Sequence, residues 1–418
     1  MSVSESRRAR LKQAAIPAPG PIRTLAKMSL TSAVGNGLFA TIEAIFFTRS
    51  VGLTNHQVAL GLGIAAVLGL LVNIPAGHLA DRRDPRDLVI IFMLFQSASM
   101  AAFVFIHSFS GFVAVAVASA LFGSAGHSAG MALISRFGDG VERVRIRAFQ
   151  RSVSNLGMGI GMGIAAVALA MDTRAAYVAM VLGNAVTYLG SAVFVTQFPA
   201  MPPISLEGTI HSGSRMVALR DRHFLIASAL NGCMAIQFAI QNIGVPLWIV
   251  QYTHAPRWWV AVSFMVNTSS VVLLQVRFAR GTGDLEYAAR AFRRSGFFVA
   301  AACVLYASSQ GVNAVLACVI LVAAAVVDVI GELLSSAAGW AIGFGMAVEG
   351  LQGQYQGVYS MGFGFANIFG PVLVTSTALT MGRSGWVILG LLFIGAGAAY
   401  PPLVRSHLKE RARVSQNQ

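Results

Sequence analysis

The sequence predicts an all-α, polytopic membrane protein of twelve transmembrane helices arranged as two halves of six. Three observations carry this. The composition is 56% hydrophobic with only 11% charged residues, far from the roughly 25% charge of a soluble domain. Apolar runs near the ~20 residues that cross a bilayer recur along the whole length. Lysine and arginine divide unevenly between alternate connections, as cytoplasmic loops retain positive charge.

Taken in order, the apolar runs place spans at 28–49, 57–79, 88–107, 111–135, 150–171, 175–198, 224–251, 258–277, 295–310, 312–340, 356–381 and 385–404. A membrane β-barrel would instead show short alternating segments. With the N-terminus inside, the inner segments 1–27, 80–87, 136–151, 199–223, 277–294 and 405–418 hold 26 of the 30 Lys and Arg. Only Arg49, Arg174, Arg257 and Arg383 fall outside. One missed helix would mix the two groups. Both termini are therefore expected in the cytoplasm of a multi-pass cell-membrane protein.

The longest inner connection, 199–223, is rich in Pro, Gly and Ser and follows the sixth span. It divides the chain into a cytoplasmic N-terminal tail (1–27), a first six-helix half (28–198), a linker (199–223), a second half (224–404) and a C-terminal tail (405–418). Weak internal similarity supports a repeat: Asn155-Leu156-Gly157 in span five corresponds to Asn367 to Pro371 in span eleven. Many transporters are built from such halves.

The net charge of +14 ordinarily suggests nucleic acid. Here the arginines are topology signals, and no nucleic-acid partner is expected. Cys233, Cys303 and Cys318 lie in apolar segments and fit no metal or disulfide pattern. The N-terminal stretch lacks the apolar core of a cleavable signal. The glycine-rich run 155–166 lies inside a span with no strand before it, so it is a helix-packing face and not a nucleotide-binding loop. No metal spacing, nucleophile elbow or phosphate loop argues for an enzyme.

Six charges crowd into Gly77-His78-Leu79-Ala80-Asp81-Arg82-Arg83-Asp84-Pro85-Arg86-Asp87. Topology accounts for the arginines, but acidic residues contribute little to orientation. Through Gly77, Leu79, Ala80, Asp81, Arg82 and Arg86 the stretch resembles the signature loop between helices two and three of the major facilitator superfamily. Asp84 departs from that pattern, standing where a glycine is usual. The resemblance covers the twelve-span, six-plus-six plan of the whole chain. It implies a gating latch: Asp81 would approach the N-terminal end of helix eleven, and the arginines would pair with acids of the other half. It also implies a monomer and a central cavity lined by helices one, four, seven and ten.

Ionisable residues at membrane depth are expensive and usually functional. Three acids qualify: Glu43 in span one, and Asp328 and Glu332 in span ten. Arg49, Arg151 and Arg277, at span edges, are counted with the loops, which leaves no basic residue at depth. Asp328 and Glu332 are one helical turn apart on one face. Two carboxylates that close in low dielectric do not both ionise cheaply, so the pair would hold one proton between them. These acids are the candidates for proton coupling, with the proton gradient in place of any cofactor. The competing account of Glu43 is a local salt bridge to Arg49, and of the pair, structural hydrogen bonding.

For the substrate cavity the candidates are Asn36, seven residues before Glu43; His127 in span four; and Gln237, Phe238, Gln241, Asn242 and Trp248 in span seven, where Pro246 suggests a kink. Amides at such depth must find partners. A cavity with acids and amides but little positive charge suits neutral or cationic amphiphiles and disfavours strongly anionic substrates. The lead expectation is proton-coupled export of small, moderately hydrophobic compounds, drugs or natural products, by alternating access. This is most like the bacterial drug/proton antiporter, or multidrug efflux, group. That group often carries an arginine in span four, four residues before a glycine, where this chain has Ser119 before Gly123. The alternative is proton-linked uptake or facilitated diffusion of a metabolite. The expected partners are a small-molecule substrate, protons and membrane lipid.

Overall fold

The computed structural model describes residues 20–138, 140–202 and 216–416. Most of the expected N-terminal tail and linker, and the end of the C-terminal tail, lie outside the described residues. Twelve helices follow one another: α1 (Pro21–Ser50), α2 (Asn55–Arg82), α3 (Pro85–Phe105), α4 (Phe109–Ser135), α5 (Gly140–Met171), α6 (Arg174–Val195), α7 (Arg222–Tyr252), α8 (Trp259–Phe278), α9 (Leu285–Ser308), α10 (Ala314–Gly345), α11 (Gln352–Leu379) and α12 (Arg383–Gln416). No strand occurs among the described residues. Eleven of the helices are long and apolar enough to span a membrane. The exception is α9, whose first half carries Glu286, Arg290, Arg293 and Arg294.

The sequence marks where these helices begin. Thr54 opens α2 with a reciprocal capping box to Gln57. Asp84 caps α3, with Pro85 in the first turn. Ser108, Thr173, Asp221, Asp284 and Asn313 cap α4, α6, α7, α9 and α10 through their side-chain oxygens. Each cap satisfies an amide that would otherwise be orphaned at the helix end. Several helices run past the expected limits. α1 starts seven residues earlier, α5 ten earlier, and α12 continues through Pro401 and Pro402 to Gln416. Polar turns beyond the apolar run remain helical once neighbours hold them.

Aromatic residues fill each half. In the first, Phe39, Phe47, Phe103 and Phe112 interlock. In the second, Trp248, Tyr306, Trp386, Phe292 and Tyr400 do the same. The glycine run of α5 works by spacing. A Cβ on Gly157 or Gly161 would collide with α1 backbone carbonyls, whereas Gly159 and Gly163 face open space. Glycines four apart thus set the α1–α5 approach.

The halves meet along α2–α11, α4–α11, α5–α8 and α5–α10. The hydrogen bonds that join them sit toward the end carrying the arginine-rich connections, the basic end. They run from Asp81 and His78 to the start of α11, and from Arg151 and Ser152 to α10 and α8. The halves are therefore shut at the basic end.

Candidate functional site

The geometry is organised around one carboxylate. Glu332 is 1% exposed. One of its oxygens forms an ion pair with Arg151 of the opposite half. The other accepts from Asn267 Nδ2 at 2.6 Å and from Gln241 Nε2 at 2.8 Å. That same Gln241 nitrogen donates to Asp328 Oδ2 at 3.0 Å. One carboxamide bridges the two acids, and α5, α7, α8 and α10 are tied at a single level. Glu332 carries the donor set of an ionised carboxylate. Asp328, 2% exposed, has Oδ1 buried without a partner among the described residues.

Local structure explains how Gln241 reaches both acids. Ile240–Gly244 winds as a π-turn just before Pro246. Proline has no N–H to donate back into the preceding turn, and the widened turn re-aims the side chains on it. The neighbouring Asn242 spends its amide on the carbonyl of Phe238 at 2.8 Å.

Two cavities lie on either side of this level. One, of about 390 Å³, lies toward the end opposite the basic one and is lined by Asn155, Met158, Met162, Gln241, Asn242, Phe264, Asn267 and Asp328 among others. The other, of about 660 Å³, lies toward the basic end and is lined by residues including His127, Arg147, Arg151, Gln237, Phe238 and Trp340. In the wall of the larger cavity, the Arg151 guanidinium stands 5.2 Å from the Phe238 ring centroid, a cation–π contact. Gln237, 2% exposed, donates to Ser335 Oγ at 2.8 Å.

At the basic end, Asp81 accepts from the backbone N–H groups of Gly353 at 2.6 Å and Gln354 at 2.8 Å, the first turn of α11. A carboxylate there meets unpaired amides and the positive end of the helix dipole. Gly77 lies against the carbonyl of Gly353, and a Cβ on either glycine would overlap the other helix's backbone.

Several expectations are corrected. Arg86 donates to Thr196 O at 3.0 Å and to Asp87, both in its own half, and Arg82 is exposed and forms no ion pair with the other half among the described residues. Asp84 replaces the usual glycine without strain, at φ −62°, and also accepts from Met201 N–H. Asn36 lines neither cavity; it accepts from Tyr188 Oη at 2.7 Å, within the first half. Trp248 is fully buried, donating to Tyr306 O and Ser309 Oγ, because a large aromatic with one N–H is best satisfied inside the helix core. Glu43 is half-buried and lines neither cavity. Nor does it pair with Arg49, whose guanidinium is bound to Asp172 at 2.6 Å. The expectation of a cavity poor in positive charge also fails, since Arg147 and Arg151 line the larger one.

Sequence reasoning missed Arg151, Asn267, Arg147 and Trp340. A signal was present for two of them. Arg147, Arg151 and Asn155 recur every four residues, one face of a helix running straight into an apolar span. Assigning Arg151 to the loop concealed that face.

Residues 25–371 match the Major Facilitator Superfamily. The chain belongs to this superfamily. It is a transporter and not an enzyme. No curated protein sequence matches it. Among solved structures it is similar to the human organic anion transporter MFSD10 (TM-score 0.69, 13% identity, 92% of this chain and 98% of that one). It is also similar to a bacterial homologue of the iron transporter ferroportin in an outward-facing state (0.73, 10%, 93% and 99%). A third is the transporter FucP in the outward conformation (0.67, 16%, 93% and 98%). At these identities the likeness concerns the superfamily fold.

Proposed function

We propose that this chain is a proton-coupled secondary transporter that moves a small, moderately hydrophobic organic compound by alternating access. The observation that carries the reading is the single Gln241 carboxamide shared between Asp328 and Glu332, with Arg151 supplied by the opposite half. A proton arriving at either acid changes the contact that holds the halves together. The basic end is taken as cytoplasmic from the arginine distribution.

The path follows from the layout. Asp328 borders the smaller cavity, on the side away from the closed end. A proton entering there neutralises the acid pair and weakens the hold of Glu332 on Arg151. That tie and the Asp81–α11 contact both keep the basic end shut, so losing one shifts the equilibrium toward opening. Relaying charge through a buried ion pair is expensive when either member is left alone, which is why proton and substrate movements are linked.

The direction depends on substrate charge. Export of drugs or natural products by antiport requires proton and substrate to displace each other at the acids, as a cation would. Uptake requires them to bind together. The Arg151–Glu332 pair favours the second reading, because a proton on Glu332 leaves a guanidinium free for substrate.

The test uses the full chain in vesicles with an imposed pH gradient and a pH-sensitive dye, adding amphiphilic cations, amphiphilic anions, sugars and amino acids in turn. Wild type is expected to show compound-driven proton movement and Asp328→Asn none. Compound movement without protons, unchanged in Asp328→Asn, would make the acids structural and the protein a facilitator.

A further inference from the structure

The wall of the larger cavity carries two arginines, one histidine and no acid. Arg151 is neutralised by Glu332. Arg147, one turn away on the same face of α5, is not: no carboxylate of the described residues forms an ion pair with it. Its Nη1 donates to Gln150 Oε1 at 3.3 Å, its Nε is buried without a partner, and its guanidinium stands 5.6 Å from the Trp340 ring centroid. Arg147 is half-buried with its Nε wholly enclosed; a charge so placed is best met by a counter-charge, and neither a neutral amide nor an indole face is one. Gln150 already gives its own amide to Ser29 Oγ. The cavity's size lies in the range of small-molecule sites, and Phe238, Trp340, Tyr359 and Phe363 supply apolar wall.

We propose that this cavity binds a small amphiphilic organic anion. Its carboxylate, sulfonate or phosphate sits on the Arg147 guanidinium, and its apolar body lies against Trp340 and Phe238. A guanidinium fork suits such groups better than a lone ammonium does. This rests on the reading of the network as a proton-coupling device and deepens it. A proton on Glu332 frees Arg151, one turn from Arg147, to become the second cationic contact. Proton and anion then occupy the protein together, and the coupling is co-transport.

The test compares naphthalene-2-sulfonate, the uncharged naphthalene-2-sulfonamide and 2-naphthyltrimethylammonium. Binding to the purified full chain is followed by tryptophan fluorescence and by the shift in thermal midpoint. Wild type should prefer the sulfonate over both analogues by about tenfold or more, about 1.4 kcal/mol per decade. Arg147→Gln should abolish the preference and, without ligand, be at least as stable as wild type. Arg147→Lys keeps the charge but not the fork, and should retain part of the preference. Equal or tighter binding of the ammonium by wild type, or an unchanged sulfonate preference in Arg147→Gln, overturns the proposal. The two readings separate cleanly. Sulfonate binding with no proton movement in vesicles removes the coupling and leaves the anion site. Proton movement driven only by the ammonium removes the anion site and leaves the coupling.

Discussion

Two seams close the basic end, and they are built differently. Along α2–α11 the backbones touch where Gly77 lies on Gly353 and Asn73 on Gly357, the Leu70 side chain packs on Gly364, and the Asp81 carboxylate sits on the α11 amides at the exit. Along α5, α8 and α10 the contact is polar and deep: Arg151 with Glu332 and Ser336, Asn267 with Glu332, Ser152 with the Val271 carbonyl. The first is a fit of surfaces, made and lost by helix movement. The second contains titratable groups at depth, so chemistry can act on it. Under the proposed function, the deep polar seam is the one on which the transported proton acts.

The sharpest way to break this comparison is at Arg151. Arg151→Met leaves Glu332 buried without its cation, and removing one member of a buried pair typically costs about 3–5 kcal/mol. A large fall in the thermal midpoint is expected, together with loss of proton-coupled transport. The double variant Arg151→Met, Glu332→Leu should recover most of the stability and none of the coupling, since well-packed apolar replacements of buried pairs are often neutral. If the double variant still couples protons to transport, the polar seam is not the sensor.

The α2–α11 seam should respond to volume rather than charge. Gly353→Leu drives a branched side chain into the Gly77 carbonyl and the Asp81 carboxylate. Overpacking of this kind costs about 1–3 kcal/mol. The cost falls only on the state in which the seam is closed, so the protein should shift toward an open basic end while still folding. Distances between spin labels at that end would report it. An unchanged distribution would mean the glycines are there for helix propensity or assembly, not for closure.

These two seams were unequally legible in the sequence. Gly77 and Asp81 stand in a dense run of charge between apolar spans, and acid in an arginine-rich connection, where it does little for orientation, calls for an explanation. The structure accordingly finds Asp81 on the α11 amides. The acids at 328 and 332 were visible for the same reason, as charge where charge is costly. Arg151 was not, because a residue at a span edge reads equally as a loop cation, and only tertiary packing shows that α5 runs ten residues further than its apolar stretch. Asn267, one amide in an apolar helix, carried no signal apart from its partner. Trp248 misled in the opposite way: an aromatic in span seven is as consistent with a helix core as with a cavity.

A smaller effect should sharpen the comparison. Asp81→Asn keeps the shape of the latch and removes its charge. A carboxylate at a helix N-terminus contributes about 0.3–1 kcal/mol, up to about 2 when partly buried. Asparagine can still accept one backbone hydrogen bond. The open population should therefore rise by a few-fold, well short of the Gly353→Leu effect, with proton coupling retained. A loss of coupling as complete as in Asp328→Asn would place Asp81 in the proton path and erase the distinction between the two seams.

The smallest effect is expected at the far end, where the exposed Arg49–Asp172 pair meets the hydroxyl of the buried Tyr177 within the first half. Asp172 accepts from Tyr177 Oη at 2.5 Å and from Arg49 at 2.6 Å, and these contacts, the tyrosine first, hold its carboxyl below the usual carboxylate range. A depressed carboxyl stabilises the folded state above its unfolded pKa, near 3.9, and that contribution fades as pH falls through the lower folded value. Near neutral pH nothing in this cluster titrates, and exposed pairs contribute little in any case. Asp172→Asn should therefore leave the pH dependence of transport between pH 5 and 8 as it is in wild type. A shift of that profile would mean that groups within one half, remote from both seams, govern proton entry. It would move the sensor from the deep network to the mouth of the pathway.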